Sequence, residues 1–285
     1  MKDHKIIWIY WDQGWSNTPE IVQTCRASWE QLNPEYKVIP LDKDSLTQYV
    51  SLPSSHTKNT NLSIALKSDI IRLNLLKKYG GIWVDATLIC TKPLHSWLSE
   101  FYSSGFFAFR NPGKDRLCSS WFIAAEPDNK LLTLLHSELT SFVYSTNFTN
   151  QHNKKGFLYR LFYKLKWNRK ISTTVNWLSD CVQKKIKTYP YYIFHYTFNK
   201  VIIENNECRE IWESSKPFES KLPHKLQKLS KKESNLNQAK QLLISKQSPV
   251  YKLNWRKDIN TPFWKETLKT LLEINTELLN TNIDK

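Results

Sequence analysis

Asp69, Arg72 and Asp85 carry the clearest chemistry in this sequence, inside the stretch SDIIRLNLLKKYGGIWVDAT from Ser68 to Thr87. At about 100° per residue, Leu62, Ala65, Leu66, Asp69, Arg72, Leu73 and Leu76 share one helical stripe. Asp69 and Arg72 therefore point inward. Burying charge without partners is costly, so a carboxylate and a guanidinium in a packing stripe pair with each other or meet a ligand. The alternative is an i, i+3 ion pair on a solvated face, but Lys67, Asn74 and Lys78 already mark that face on the opposite side.

Gly80-Gly81 ends the helix and lets the chain reverse tightly, because glycine reaches positive φ without steric cost. Ile82, Trp83 and Val84 then make a short buried strand with Asp85 at its carboxyl end. Ligands of open α/β sheets gather at that edge. An acid there, followed by Ala86 and Thr87, is placed to hold a divalent cation and, through it, a diphosphate, since Mg²⁺ and Mn²⁺ use one or two carboxylates together with substrate phosphates.

The order SD-x-x-R, YGG and W-V-D-A-T, with the opening KIIWIYWDQGW and the later NPEYKVIPLD, resembles the bacterial capsular polysaccharide synthesis glycosyltransferases. These are relatives of the sugar-binding DXD-motif family and, more distantly, of the large glucosylating toxins. The likeness runs from the amino terminus to about Ala125 and thins beyond it. It implies a GT-A fold and a hexosyltransferase-like enzyme, usually retaining, that uses a nucleoside diphosphate sugar, a UDP-sugar above all, with Mn²⁺ or Mg²⁺. By the same resemblance Asp69 and Arg72 contact the donor sugar and the ribose-phosphate region, Asp85 binds the ribose or the metal, and Gly81 belongs to the donor-binding stretch. The family's motif often has a second carboxylate where this chain has Thr87. A hydroxyl is a weaker ligand, so the ion would draw on Asp85, Thr87, the diphosphate, water and a later side chain. His195 has two readings, the missing imidazole ligand or a core histidine at the end of an aromatic run.

The elements needed to position these groups are legible as an α/β alternation. Lys5 to Tyr10 reads as a buried strand, a helix begins at Thr18-Pro19 and ends near Asn33-Pro34, and Tyr36 to Ile39 forms a second strand. Asp44 or Ser45 caps a short helix ahead of the stripe-bearing one. Apolar runs at Phe106 to Phe109 and Trp121 to Ala125 follow, and Asp128 caps a helix to about Tyr144. The fold class is thus a Rossmann-like, mainly parallel sheet flanked by helices. Residues 1–200 form the transferase core and 201–285 a mostly helical extension packed back on it. Thr174 to Ile186 reads as helix, Glu213 to Gln238 as a surface linker, Pro249 to Trp255 as strand-like, and Thr261 to Leu279 as a final helix.

With 285 residues, 40% hydrophobic and 13% aromatic, the chain buries a real core and is not disordered. Five cysteines without a C-x-x-C pair give neither a disulfide framework nor a zinc pattern and fit a reducing cytosol. No apolar run is long enough for a signal peptide or a membrane span. Much of the formal charge of +15 is concentrated in KKGFLYRLFYKLKWNRK, Lys154 to Lys170, which holds no acid. As an amphipathic helix this segment suits either the core or an anionic membrane surface at the inner face of the cell membrane. No helix-turn-helix, zinc or RNA-recognition pattern accompanies the charge, so nucleic acid is not expected as a partner.

Trp8, in the first strand, could stack on a nucleotide base or fill the core. Ser119, Ser120 and Trp121 are candidates to face the acceptor, a glycan or lipid-linked glycan. Lys252 and Arg256, in VYKLNWR, are candidates to neutralise a leaving diphosphate. Two rivals stand beside the transferase: a degenerate nucleotide-sugar binder without turnover, and a basic surface or nucleic-acid-binding protein.

Overall fold

A computed structural model describes residues 5–51, 62–146, 148, 167–256 and 261–283, with side chains as far as Ile274. The strands are β1 (Ile6–Tyr10), β2 (Lys37–Leu41), β3 (Gly81–Val84), β4 (Leu88–Cys90), β5 (Phe106–Gly113), β6 (Arg116–Ala125) and β7 (Val250–Lys252). The helices used below are α1 (Glu20–Leu32), α2 (Ile64–Tyr79), α3 (Lys130–Ser145), α4 (Ile193–Glu204), α5 (Asn206–Ser214), α6 (Lys225–Leu229), α7 (Leu236–Ile244) and α8 (Pro262–Ile283).

The central sheet has the order β2-β1-β3-β6-β5. β1 pairs in parallel with β2 and β3, while β6 runs antiparallel between β3 and β5, so four strands share a direction and β6 opposes them. Strand side chains alternate between the faces, and both faces are covered. Trp8, Tyr10, Trp83, Phe106 and Ile123 pack beneath α2, α3 and α4, whereas Ile7, Ile9, Ile82, Val84, Phe107 and Phe122 face α1, the β4–β7 ribbon, α7 and α8. This is the expected α/β class, in three layers.

The second layer is pinned by buried hydrogen bonds rather than by apolar contact alone. Trp29 of α1 donates its indole N–H to the Leu88 carbonyl at 2.8 Å, Ser28 accepts from the Cys90 amide at 2.9 Å, and Asn33 accepts from Leu94 at 2.7 Å. Each satisfies a buried polar group that would otherwise be costly. β7 then adds to β4 in antiparallel register, Leu88 opposite Lys252 and Cys90 opposite Val250. The carboxyl-terminal part of the chain is in this way drawn to the end of β3.

Several local expectations need correction. Asp128 does not cap α3: it lies at φ 55, and Asn129 takes the role, its side chain accepting from the Leu132 amide. The helix expected over Thr174 to Ile186 is broken into short turns, in keeping with the β-branched run Thr173-Thr174-Val175. The linker expected over Glu213 to Gln238 is a docked strap. Its backbone pairs with Arg110 through Phe218 O and Ser220 N, each at 2.8 Å, Phe218 packs 4.9 Å from both Phe101 and Phe109, and α6 follows. Most of the basic segment, residues 154–166, lies outside the described residues, and with it the membrane-surface expectation. No helix among the described residues is long and apolar enough to cross a membrane.

Gly81, expected in the donor-binding stretch, lies at the opposite end of β3 from Asp85 and is a packing requirement there. Its φ is +92°, and a Cβ there would lie 2.6 Å from the backbone oxygen of Ile6. Left-handed strain and a backbone clash add, so Gly81→Ala is expected to lower stability by about 3 kcal/mol. Urea denaturation reads this directly, and a change under about 0.5 kcal/mol would remove the assignment.

Candidate functional site

α2 is the element on which the site is built. The Ser63 hydroxyl caps its start by accepting from the Leu66 amide, and Gly80 at φ 64 ends it. Burial extends further round than one stripe, taking in Ile70, Ile71 and Leu75 as well as Leu66, Leu73 and Leu76, because the helix is covered by the sheet and by α3 and α4. Asp69 and Arg72 are 8% and 3% exposed within this surface. Their expected pairing forms, but in the interior rather than in water. Arg72 Nη1 donates to Asp69 Oδ1, and Nη2 donates to Asp85 Oδ1 at 3.2 Å. The guanidinium lies 4.9 Å from the centroid of the Trp83 ring and 5.5 Å from that of Phe194, a cation–π slot.

Asp85 follows the last residue of β3, its amide bonded to the Trp121 carbonyl at 2.9 Å and its carbonyl accepting from Leu88. The Trp83 indole N–H donates to Oδ1 at 3.1 Å. The other oxygen, Oδ2, accepts from Lys252 Nζ at 2.7 Å, and the same ammonium donates to Thr87 Oγ1 at 2.8 Å. Lys252 reaches this place because β7 is registered against β4 and the Leu253 amide is bonded to the Thr87 carbonyl at 2.8 Å. The result is an alternating row, Asp69, Arg72, Asp85, Lys252. Arg72 is its most buried member, with 4% of the side chain exposed, and Asp85 its most open, with 27%.

The electrostatics divide the two acids. Burial drives the Asp69 carboxyl up to about 7; the Arg72 guanidinium opposes this and the Asp85 charge adds to it. Asp85 is also penalised by burial, yet Lys252, Arg72 and the Trp83 N–H outweigh the penalty and hold it below the ordinary carboxylate range. One acid is poised to titrate near neutrality; the other stays ionised.

The remaining expected residues are placed as follows. Trp8 is a core residue, 1% exposed, donating its indole N–H to the Gly80 carbonyl at 2.9 Å and packed against Tyr49 and Tyr79. In this structure it takes the core position, one of its two readings, and presents no face to a base. Thr87 is at the site but engaged by Lys252. His195 lies within the field of Arg72 and Asp85; burial, then Arg116 and Arg72, keeps its imidazole neutral, and its Nδ1 is buried with no partner among the described residues. Ser119 is fully buried, and Trp121 stacks on Phe109, so both are packed in the sheet. Arg256 lies over the Trp255 ring, and its charge and those of Asp69 and Asp85 reach the half-exposed Tyr191. Trp83, Phe194 and Tyr191 were not singled out from the sequence. Their aromatic character is common in this chain, and only the fold brings them to Arg72 and Asp85. A separate cavity of about 420 Å³, lined by Tyr49, Asn74, Lys77, Lys78, Asp128 and His136, contains none of the acidic-basic row.

As they stand, these residues do not fit a divalent ion. Both oxygens of the single strand-end carboxylate and the Thr87 hydroxyl are taken by N–H donors, and no group of three or more His, Cys, Asp or Glu side chains among the described residues could hold a metal. Asp85 and Thr87, expected as metal ligands, are in this arrangement engaged by Lys252.

A family model described as capsular polysaccharide synthesis protein matches residues 1–269. The O-glycosyltransferase braB of Annulohypoxylon truncatum is 29% identical over 148 residues, 45% of this chain and 35% of its own. The glycosyltransferase afumC of Aspergillus fumigatus is 30% identical over 104 residues, 32% of this chain and 27% of its own. The O-glycosyltransferase PaGT of Phomopsis amygdali is 26% identical over 138 residues, 42% and 34%. The chain spans about a third of the length of these curated relatives. Among solved structures, PaToxG Glycosyltransferase aligns over 95% of this chain and 85% of that one with 14% identity and a TM-score of 0.42.

The raised carboxyl of Asp69 gives a pH signature. An acid whose folded pKa lies above its unfolded value binds more protons when folded, so stability falls as pH rises between the two values, here from 3.8 to about 7. Asp69→Asn abolishes that titration. In urea denaturation series from about pH 4 to pH 8, the stability of the wild type relative to the variant is expected to fall by a few kcal/mol from the acid end to the alkaline end, levelling above about 7. Parallel profiles would mean that Asp69 is ionised throughout.

Proposed function

The chain belongs to the capsular polysaccharide synthesis protein family, and we propose that it is a glycosyltransferase of GT-A type whose donor, a nucleoside diphosphate sugar and by our reading a UDP-sugar, binds at the carboxyl end of β3. The observation that carries this reading is the joining of Asp69, Arg72 and Asp85 into one hydrogen-bonded row at that edge. Two kinds of support combine. The three fungal relatives are named glycosyltransferases, two of them O-glycosyltransferases, and the row offers what such a donor needs: an ionised carboxylate for hydroxyl groups beside cations for a diphosphate.

The roles follow from the contacts. Arg72 has both terminal nitrogens engaged by carboxylates, so it acts as a positioning residue that fixes Asp69 and Asp85 relative to each other. Asp85, ionised and about a quarter exposed, accepts hydroxyls of the ribose or the sugar. Lys252 lies beside it, where negative charge grows on a departing diphosphate. The acceptor in this reading is a hydroxyl of a surface glycan or a lipid-linked glycan. Holding the sugar rigidly lets that hydroxyl approach in a reactive pose. Retention at the anomeric carbon is part of the proposal and is read from the anomeric configuration of the product by NMR.

A thermal-shift panel of UDP-, GDP- and TDP-sugars tests the class. A ligand bound at a hundred times its Kd stabilises the folded state by about 2.7 kcal/mol, which for a chain of this size raises Tm by several degrees. One sugar nucleotide is expected to do so, with Asp85→Asn reducing the shift to within noise when read against the variant's own, lower unliganded Tm. A flat response across the panel would sink the reading. Release of the free nucleotide in the presence of acceptor separates an enzyme from a binder without turnover.

A further inference from the structure

The position of Lys252 is not that of a neighbouring surface charge. Its Nζ spans Asp85 Oδ2 at 2.7 Å and Thr87 Oγ1 at 2.8 Å, bridging the first and third residues of D-A-T as a single ion would bridge two ligands. A divalent cation on Asp85 Oδ2 would sit about 2.1 Å from the oxygen the ammonium already holds and only about 4 Å from the ammonium itself, so two like charges would compete for one partly buried oxygen.

The ammonium is also built in by the backbone. Lys252 lies opposite Leu88 in the β4–β7 register, its own amide is bonded to the Pro223 carbonyl at 3.0 Å, and the next amide is bonded to Thr87. Its side chain is 17% exposed. Of its three N–H donors, two are spent on Asp85 and Thr87, which leaves one for a ligand. Arg72 supplies a second fixed cation within the same row.

From this geometry we infer that Lys252 takes the place of the divalent metal, so that this chain binds the diphosphate of its donor, and stabilises it on departure, without Mn²⁺ or Mg²⁺. The inference rests on the donor reading above. In the transfer step the bond between the anomeric carbon and the diphosphate oxygen breaks with its electron pair remaining on the diphosphate. The acceptor oxygen forms the new bond to that carbon, and the acceptor's proton passes to the departing diphosphate. Lys252 changes neither electron nor proton count; it donates a hydrogen bond to the oxygen on which charge accumulates.

The test uses the full chain and the nucleoside diphosphates UDP, GDP and TDP, titrated by calorimetry in excess EDTA and in excess Mn²⁺. The affinity of the nucleotide that binds is expected to agree within about twofold between the two conditions. Lys252→Met is expected to weaken it by at least about thirtyfold in EDTA, and Lys252→Arg to recover part of the loss. Electron paramagnetic resonance of Mn²⁺ added to the wild type is expected to show only the free ion. These two wild-type measurements do not depend on whether a variant folds. Nucleotide binding that vanishes in EDTA and returns with Mn²⁺, or Mn²⁺ captured by the wild type and released by Asp85→Asn, overturns the inference while leaving the donor reading intact. Absence of binding by all three nucleotides in both conditions overturns the donor reading itself, and this inference with it.

Discussion

A guanidinium in a protein interior must be neutralised, and the placement of Arg72 dictates much of the surrounding structure. It is 3% exposed, held between the Trp83 and Phe194 rings, and it draws one carboxylate from its own helix and another from the end of β3. Removing one partner from such a set strands the other charge in low dielectric, at a cost of several kcal/mol. The consequence is geometric: α2 cannot slide along the sheet without breaking the Arg72–Asp85 contact. Ser63 and Gly80 fix the length of α2, and Gly81, with its close approach to Ile6, fixes where β3 begins. Helix caps and a glycine at one end of the unit therefore determine where a carboxylate appears at the other.

Lys252 extends the same logic across the chain. It contacts Asp85 over a sequence separation of 167 residues, through a strand of three residues added to β4. The α1 side chains Ser28 and Trp29 hold β4 by its backbone, β4 holds β7, and β7 delivers the ammonium. The lower layer of the fold is thus mechanically continuous with the Asp85–Lys252 side of the acidic-basic row.

What the sequence made legible was local. The inward direction of Asp69 and Arg72 follows from helical periodicity, the break from Gly80-Gly81, and the position of Asp85 from a short apolar run, and all three side chains meet in the structure. The alternation of strands and helices was readable for the same reason. Trp8 and Gly81 mark the limit: an aromatic in a strand and a glycine after a helix look alike whether they face a ligand or fill the core, and only burial and the proximity of Ile6 decide. The strap after Glu213 was unreadable because its anchors, Phe218, Leu222, Leu226 and Leu229, follow no single period and dock through contacts with β5 and the lower core. Lys252 could be singled out by chemistry alone; that it reaches Thr87 as well as Asp85 depends on a register between distant strands.

Charge alternation along the row has a consequence for how a polyanion would enter it. Each of the four groups is partnered before any ligand arrives, so the site holds fixed dipoles rather than free ions and needs little reorganisation on binding. On the proposed reading, a diphosphate takes the N–H that Lys252 has to spare, while Asp85 keeps its pairs and offers its remaining lone pairs to hydroxyl groups carried by the same ligand. Asp69, close to neutrality in its titration, keeps the row from carrying a full second negative charge that would repel the incoming anion. Under the proposed donor reading, a preference for a ligand bearing both a diphosphate and adjacent hydroxyls would follow from the pairing within the protein itself.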